Sequence, residues 1–358
     1  MNGTDLEDYS DLVISRSISN LGIGGICVTS CTFKTYPKHD LDPNDMSQYG
    51  QCATVAIGGG VGNVPTFYIN KRTYSDGVWT VEALDRCAFL DRRIVTTGWQ
   101  QIQPATPTDT LSYYTATFIS AMIEQCGLGN DSAIPYTETK IPCDLIDGQT
   151  YQSVLSSMAL AYCGFFYCSS DTNVLTFMSY SSSGTSQLTL DAYSRIHDNG
   201  SYSYNSIKVT NGSKSVTYDG GSLEGGVPCL EINNNFAKAD GSQAASAIYE
   251  GLRGRSFKGW SVDKAACTSL SVPNVGDPIP IGGTSYRLTR VEARFVGSVM
   301  MLSMGQDIPQ MGEIERRGLL QQKLDEAVST QKTYKWMRTT YQGMIAVPTQ
   351  DAEKGASS

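Results

Sequence analysis

The residues best suited to chemistry are two histidines, ten cysteines, a glycine-rich loop and an acidic loop. His39 and His197 are the only histidines, and each is followed by Asp in a polar segment. A hydrolase could combine one histidine with a distant serine, but no serine stands in the G-x-S-x-G pattern that presents a nucleophile. We therefore expect two solvated loop histidines and no catalytic residue.

The cysteines are spaced like core residues rather than like metal ligands. No two of them form a CxxC pair, which structural zinc sites usually contain. Cys27 and Cys31 share a face of a predicted strand but lie about 13 Å apart along it, too far for direct bridging. Free cysteine is among the most buried residue types, so we expect reduced core thiols, which fit assembly in the cytosol better than secretion.

The glycine-rich run 58–63 (GGGVGN) does not fit a phosphate-binding loop. It lacks the G-K-[ST] ending, and Asn63 replaces the final glycine of G-x-G-x-x-G. The run also lies between predicted strands, with no helix N-terminus to hold a phosphate. We expect a hairpin loop and no cofactor.

Metal sites are equally poorly supported. The acidic loop 40–45 (DLDPND) contains Pro43 and lacks the glycine of a calcium-binding loop, and there is no H-E-x-x-H motif. We expect no metal site. A glycosidase needs only two opposed carboxylates, and the sequence leaves that possibility open although nothing singles out a pair.

The composition of the chain argues against several classes of function. The 358 residues include 27 basic and 35 acidic side chains, a formal charge of −8, and charged residues make up 17% against about 25% in an average domain. The acidic balance and the lack of basic runs argue against nucleic acid as the main partner. No stretch approaches the roughly 18 apolar residues of a membrane span, and the acidic N-terminus does not resemble a signal peptide.

The elements that must position these residues are mostly strands. Alternating apolar and polar residues predict strands from about residue 11 to 98 and again from about 188 to 304. Ser75-Asp76-Gly77, Asn211-Gly212 and Gly282-Gly283 are turn sequences that predict hairpins.

Three segments have helical spacing. Residues 111–128 and 151–163 place apolar side chains three and four positions apart, and Gly127 suits the end of the first helix. Residues 164–180 then predict a hairpin. The tail segment 313–342 is the only long charged helix candidate, with acids at its start and basic residues near its end.

These elements predict a β-rich α+β fold with four parts. Two small antiparallel β-barrels, residues 1–106 and 185–310, are expected on either side of a helix–helix–β-hairpin insert, residues 107–184. A C-terminal helix and a disordered tail are expected in residues 311–358.

The order of these parts, and four stretches of sequence, resemble a known family. The stretches are 151–180, 204–218, 275–304 and 17–36. They are similar to the baseplate hub or tail-tip hub proteins of long-tailed bacteriophages, which also occur in phage-tail-like bacteriocins and contractile injection systems.

The resemblance implies a structural protein of the virion tail rather than an enzyme. In that family three copies form a ring, and the two barrels of each chain alternate to give pseudo-sixfold symmetry. The ring joins the tail tube protein to a spike or tip protein. Other baseplate proteins and the tape-measure protein are further implied partners, DNA is only a passing cargo, and assembly takes place in the bacterial cytoplasm without membrane insertion.

Many relatives carry a long C-terminal extension, whereas this sequence stops after one predicted helix. We therefore expect the segment 313–342 to recruit a separate spike protein or to trimerise, with Leu320, Leu324, Val328 and Trp336 at the partner interface. The alternative is an ordinary helix packed on its own barrel.

Two other functions remain open at this point. A tail-associated peptidoglycan hydrolase would need an acid pair or a Cys/His site, and neither is present as a motif. A surface adhesin or carbohydrate-binding module would be expected to carry an export signal or an anchor.

Overall fold

The structure is a computed structural model of the chain. It describes residues 9–18, 24–35, 54–55, 57, 61–105, 110–169, 172–179, 188–203, 206–211, 214–219, 229–234, 236, 256–306, 334–338 and 344–348. The chain divides into two compact units, residues 1–308 and residues 309–358.

Strands dominate the described part of the chain. The strands of its first half are β1 (Tyr9–Ser17), β2 (Ile26–Cys27), β3 (Ser30–Thr35), β4 (Thr54–Val55), β5 (Phe67–Ser75), β6 (Val78–Leu84), β7 (Gln101–Ile102), β8 (Ser112–Tyr114), β9 (Lys140–Pro142), β10 (Gly164–Cys168) and β11 (Leu175–Ser179). Those of its second half are β12 (Ala192–Tyr193), β13 (His197–Ser203), β14 (Ser206–Asn211), β15 (Lys214–Asp219), β16 (Cys229–Asn233), β17 (Ser256–Cys267), β18 (Pro278–Ile281), β19 (Thr284–Arg287), β20 (Arg290–Val296), β21 (Val299–Gln306), β22 (Tyr334–Arg338) and β23 (Met344–Pro348).

Helices are few. Two α-helices, α1 (Thr115–Cys126) and α2 (Tyr151–Ala161), and two short 3-10 helices, Arg86–Asp91 and Cys143–Leu145, are described. No described helix has both the length and the apolar character needed to cross a membrane.

Ten strands form one antiparallel sheet. Its order is β12-β17-β21-β20-β1-β3-β6-β5-β4, and β13 also pairs with β17. Strands from the first and the last parts of the chain therefore share one sheet, and they meet where β1 pairs with β20, Ser17 opposite Arg290. The β-rich prediction is confirmed. The arrangement as two closed barrels is not confirmed, because this path of described strands has two ends.

One face of this sheet forms the main core. Alternate residues along each strand turn inwards, as Leu12 and Ile14 do on β1 and Val291 and Ala293 do on β20. The core continues across β17 and β21, where Trp260 is fully buried and donates its indole N–H to the Arg287 carbonyl at 2.8 Å. Such alternation fixes the register, since a slip of one residue would turn the apolar side chains outwards.

The insert packs two helices on a small sheet. In α2, Thr150 and Ser153 cap the N-terminus reciprocally, and in α1 the left-handed Gly127 ends the helix as the sequence predicted. The predicted hairpin is confirmed as β10 and β11, and β2 extends that sheet by pairing in parallel with β10.

The predicted turns are also confirmed. Asp76 and Gly77 take positive φ between β5 and β6, and Gly282 and Gly283 do the same between β18 and β19. β14 and β15 form the hairpin predicted around Asn211 and pair from Asn211–Lys214 outwards, while Gly212 lies outside the described residues.

The described part of the second unit is a hairpin rather than a helix. The predicted helix 313–342 is wrong over residues 334–338, which form β22 and pair with β23. Tyr334 and Trp336 lie two positions apart on either side of Lys335, and aromatic side chains favour strands. Residues 313–333 lie outside the described part of the chain.

Candidate interaction site

The predicted partner residues fall mostly outside the described structure. Leu320, Leu324 and Val328 are not described, and Trp336 lies on β22. Their role at an interface stays a prediction.

The described histidine has no catalytic surroundings. His197 lies on β13, and its Nε2 is 3.7 Å from the Asp263 carboxylate, with both side chains more than half exposed. Among the described residues, no group of three or more His, Cys, Asp or Glu side chains is placed to hold a metal ion. His39 and the acidic loop 40–45 lie outside these residues.

The end of the glycine-rich run is a structural contact. Gly62 bridges in parallel to Ser271, and the Asn63 side-chain amide donates to the Val272 carbonyl at 2.6 Å. The loop that ends at Asn63 is thus fastened to the loop 270–277. This fastening gives these two residues a packing role.

One end of the ten-stranded sheet carries exposed apolar side chains. Here the hairpin tip between β5 and β6 carries Tyr74, which is 47% exposed and packs on Trp79 with ring centroids 5.0 Å apart. The tip between β20 and β21 carries Val296, which is 61% exposed. At the edge strand β12, Tyr193 is 46% exposed.

Strand register places Tyr74 and Val296 at the same end, whereas Tyr193 is level with Ala293 in the middle of β20. Tyr74 pairs with Trp79, Trp79 with Thr35, and Thr35 with Tyr9, so the β5–β6 tip stands beside the start of β1. From there, β1 continues to Val13, which pairs with Arg294 two residues before Val296. We call this end, marked by Tyr74 and Val296, the free end of the sheet.

The free end is a candidate surface for protein partners. Six large apolar side chains are exposed in the described residues, and two of them, Tyr74 and Val296, lie there. The other four are Tyr193 on β12 and Val95, Leu111 and Tyr114 in the insert and the segment leading into it. Exposed aromatic and aliphatic groups on hairpin tips are suited to bury against another protein.

The opposite end of the sheet is held by a buried arginine. Arg16 on β1 is only 5% exposed, and its Nη1 donates to the Val272 carbonyl at 3.3 Å, the Pro273 carbonyl at 3.1 Å and the Asn274 side chain at 2.7 Å. Its Nη2 donates to the Asn63 carbonyl. One side chain therefore joins β1 to both neighbouring loops.

Burial dominates the electrostatics around Arg16. It lowers the pKa of the guanidinium, while nearby Cys27, Asp85 and Asp277 act in the opposite direction. The Asp85 carboxylate is fully buried and accepts from the Thr29 and Cys87 N–H groups at 2.8 and 3.0 Å. Desolvation still outweighs these bonds and raises the pKa of Asp85 to about 6.

The insert packs against this same end. Cys27, Phe165 and Val275 form a small buried cluster that joins β2, β10 and the loop 270–277. Gly276 has a positive φ and lies so close to Met178 and Phe165 that a Cβ atom would come within 2.6 Å of the Met178 sulfur. We call this end, centred on Arg16 and Asp85, the anchored end.

Sequence reasoning missed the anchored end, although one signal was present. Leu12, Ile14 and Arg16 alternate along one strand, so Arg16 takes a core-facing position. An arginine in such a position needs buried acceptors, because an unpaired buried charge is strongly unfavourable.

The eight cysteines whose side chains the structure describes are buried, as predicted, and none of these eight forms a disulfide. Burial raises the pKa of the Cys27 and Cys31 thiols to about 12. The neighbouring Cys168 thiol, burial and the nearby Asp85 carboxylate raise the pKa of Cys87.

No protein-family model matches the sequence, and no curated protein matches it. Solved structures that are similar to the chain are phage tail proteins. The 43 kDa tail protein of prophage MuSo2 from Shewanella oneidensis has a TM-score of 0.50 and 16% identity, over 84% of this chain and 96% of that one.

Two further structures are a prophage tail protein from Listeria monocytogenes and a tail protein from Neisseria meningitidis. The first has a TM-score of 0.48 and 12% identity over 89% of this chain and 100% of that one. The second has a TM-score of 0.48 and 14% identity over 84% and 97%. The likeness to the Shewanella oneidensis protein shows a shared fold.

Proposed function

We propose that the chain is a structural hub of a phage tail or a phage-tail-like particle. Three copies form a ring of pseudo-sixfold symmetry that joins the tail tube to a central spike or tip. The observation that carries the proposal is the fold shared, over 84% of the chain, with a prophage tail protein.

The two ends of the sheet suit an assembly role. The anchored end is held rigidly by Arg16 and the insert, while the free end presents Tyr74 and Val296. A rigid body with apolar groups on projecting hairpins can bind neighbours without first ordering itself, which lowers the entropic cost of association. In the proposed ring the free end contacts the tube or an adjacent copy.

The sheet face opposite the core suits a channel lining. It carries small polar and charged side chains, Ser15, Thr32, Glu82, Glu292 and Arg294, with charges of both signs. DNA binding without sequence specificity depends on concentrated positive charge. A face of mixed charge therefore suits a channel through which DNA passes without being retained.

The C-terminal segment is the proposed site for the spike or tip protein. Leu320, Leu324 and Val328 are the contact residues we propose there, together with Trp336 on β22. The proposed partners are the tail tube protein, the spike or tip protein, other baseplate proteins and the tape-measure protein. The particle is assembled in the bacterial cytoplasm.

The first test is the oligomeric state of the purified chain, alone and within assembled particles. Mass photometry should give a species near three times the 38.8 kDa of one chain, and electron microscopy should show a ring with an open channel. A monomer that never joins a ring in assembled particles would overturn the proposal.

A zymogram on peptidoglycan separates the hub from a tail-associated hydrolase. A hub should leave the substrate intact. Clearing that is lost on one acidic or cysteine substitution would instead establish an enzyme, and the ring measurement would then decide whether the chain is also structural.

A further inference from the structure

We propose that a polar cleft between α2 and the residues that follow β16 binds one neutral sugar ring. One side of the cleft consists of insert residues, from Asp144 to Ser157, and the other side is Asn234 and Phe236. Its volume is about 290 Å³, near the lower limit of about 300 Å³ for ligand clefts, which suits a single ring. We call it the α2 cleft. It lies within one chain, so it is independent of the proposed ring.

Asn234 joins the two sides of the α2 cleft. Its side chain is only 4% exposed, its Nδ2 donates to the Ser157 carbonyl at 2.6 Å, and its Oδ1 accepts from the Phe236 N–H at 2.8 Å. These two bonds fix the orientation of the carboxamide. Its nitrogen carries a second hydrogen and its oxygen a second lone pair, so this buried group can also donate to a ligand and accept from one.

The α2 side of the cleft supplies hydroxyl and amide groups. The Ser157 hydroxyl donates to the Ser153 carbonyl at 3.0 Å, so its oxygen serves a ligand as an acceptor. The Ser153 hydroxyl bonds to Gln149 Oε1 at 3.1 Å, and Gln149 then offers a ligand its amide nitrogen. The cleft thus combines hydrogen-bond donors with acceptors.

The charge of the cleft favours a neutral ligand. Asp144 is the one charged residue among the described residues of the lining, and its exposed carboxylate can only accept hydrogen bonds. An anion would be repelled by Asp144, and a cation would meet the amide N–H groups of Asn234 and Gln149. A sugar hydroxyl both donates and accepts, so it can bond to all three side chains.

Leu145, Val154 and Phe236 form the apolar part of the lining. The Phe236 ring packs edge-on against Tyr136, with ring centroids 5.8 Å apart, and is thereby held in place. The C–H groups of a sugar ring can pack against such a wall while its hydroxyls reach the polar groups. Glycoside hydrolysis commonly uses two carboxyl groups, whereas this lining has one, so we expect binding without cleavage.

The test is saturation-transfer difference NMR on the full chain. The probes are D-glucose, D-galactose, D-mannose and N-acetyl-D-glucosamine, and N-acetyl-arginine amide is the cationic comparison. We expect transfer to at least one sugar, with a dissociation constant in the millimolar range because one ring has few atoms to bind. N-acetyl-arginine amide should give no transfer.

Two pairs of variants locate the binding site. Asp144→Ala and Ser157→Ala should each weaken sugar binding by at least about fivefold, because each removes one hydrogen-bonding group. Asp131→Ala, at an exposed aspartate of the insert, and Ser156→Ala, at the neighbouring serine of α2, are the controls. Neither control position lines the α2 cleft, so the dissociation constant should stay within about twofold.

Three results would overturn the proposal. They are an absence of transfer to all four sugars, sugar binding that survives both cleft substitutions unchanged, and stronger binding of N-acetyl-arginine amide than of any sugar. The first and third are measured on the original chain, so they do not depend on whether a variant folds. The melting temperatures of the four variants show whether weaker binding reflects the cleft or a loss of folding.

Discussion

Arg16 satisfies acceptors on two loops that also contact each other directly. Its guanidinium bonds to three backbone carbonyls and one side-chain oxygen, and removing the side chain would take one donor from each of them, although the Val272 carbonyl would keep its bond from Asn63. A buried acceptor without a partner costs about 1–3 kcal/mol. The stability of the anchored end therefore depends on this one residue more than on any single apolar contact around it.

We predict that Arg16→Met lowers the free energy of unfolding by about 3–5 kcal/mol, as measured by urea denaturation. Arg294→Met is the control, because Arg294 lies on β20 with an exposed side chain. That control should change stability by less than about 0.5 kcal/mol. Equal effects of the two substitutions would show that Arg16 contributes no more than a surface residue.

The raised pKa of Asp85 gives the stability of the protein an unusual dependence on pH. Its pKa is raised to about 6 in the folded protein, against about 3.9 for an unfolded aspartate. The folded state therefore binds the proton of the Asp85 carboxyl group more tightly than the unfolded state does. The contribution of Asp85 to stability is fully present below pH 4 and is lost as the pH rises through about 6.

Asp85→Asn should remove this dependence. The difference in free energy of unfolding between the original chain and the variant should shift in favour of the original chain as the pH falls from 7.5 to 5. Its slope should approach, and not exceed, about 1.4 kcal/mol per pH unit. A difference that stays constant across this range would contradict the raised pKa.

At the scale of elements, β17 and β21 approach each other too closely to leave room for a side chain at Gly305. An added Cβ on Gly305 would lie 2.4 Å from the Trp260 carbonyl oxygen, and backbone atoms cannot move aside as a side chain can. We predict that Gly305→Ala costs about 1–3 kcal/mol in thermal or urea unfolding.

Gly62→Ala provides the comparison for that prediction. A Cβ there would make an ordinary contact of 3.5 Å with the Ser271 side chain. The substitution should leave stability within about 0.5 kcal/mol of the original. If Gly305→Ala is equally mild, the two strands can separate more easily than their geometry indicates.

Local elements were predictable from sequence, and the distant pairings were not. The Asp76-Gly77 turn and the Gly127 helix end depend on backbone preferences of a few neighbouring residues. The pairing of β1 with β20 depends on which apolar faces pack together after both strands exist, and no local signal records it. The prediction of a helix at Trp336 is wrong for the same reason. The charge pattern of the segment favours a helix, whereas its strand conformation depends on pairing with β23.

At the scale of the whole molecule, the sequence indicates what kind of site to expect but not where in the fold it lies. Composition and segment order favoured a structural partner-binding chain, and they directed attention to residues 313–342. The exposed side chains that the structure describes, such as Tyr74 and Val296, lie instead on hairpin tips. Their exposure depends on how ten strands stack side by side, which no short window of sequence contains.

We predict that Tyr74→Ser combined with Val296→Ser prevents ring assembly while leaving the monomer folded. Both side chains are largely exposed, so their loss removes little of the core and should shift the melting temperature by only a few degrees. Mass photometry should show the ring species reduced at least tenfold. Val95→Ser, at an exposed position preceding the insert, is the control and should assemble normally.

The pairing of β1 with β20 also sets when the protein can fold. Ser17 leaves the ribosome more than 270 residues before its partner Arg290, an interval of about half a minute at roughly 10 residues per second. Until then β1 has an unpaired edge on that side, and such edges recruit strands from other chains. Nascent chains translated from the same mRNA would thus be the first to pair wrongly with this edge of β1. Slower translation should therefore lower the yield of soluble protein.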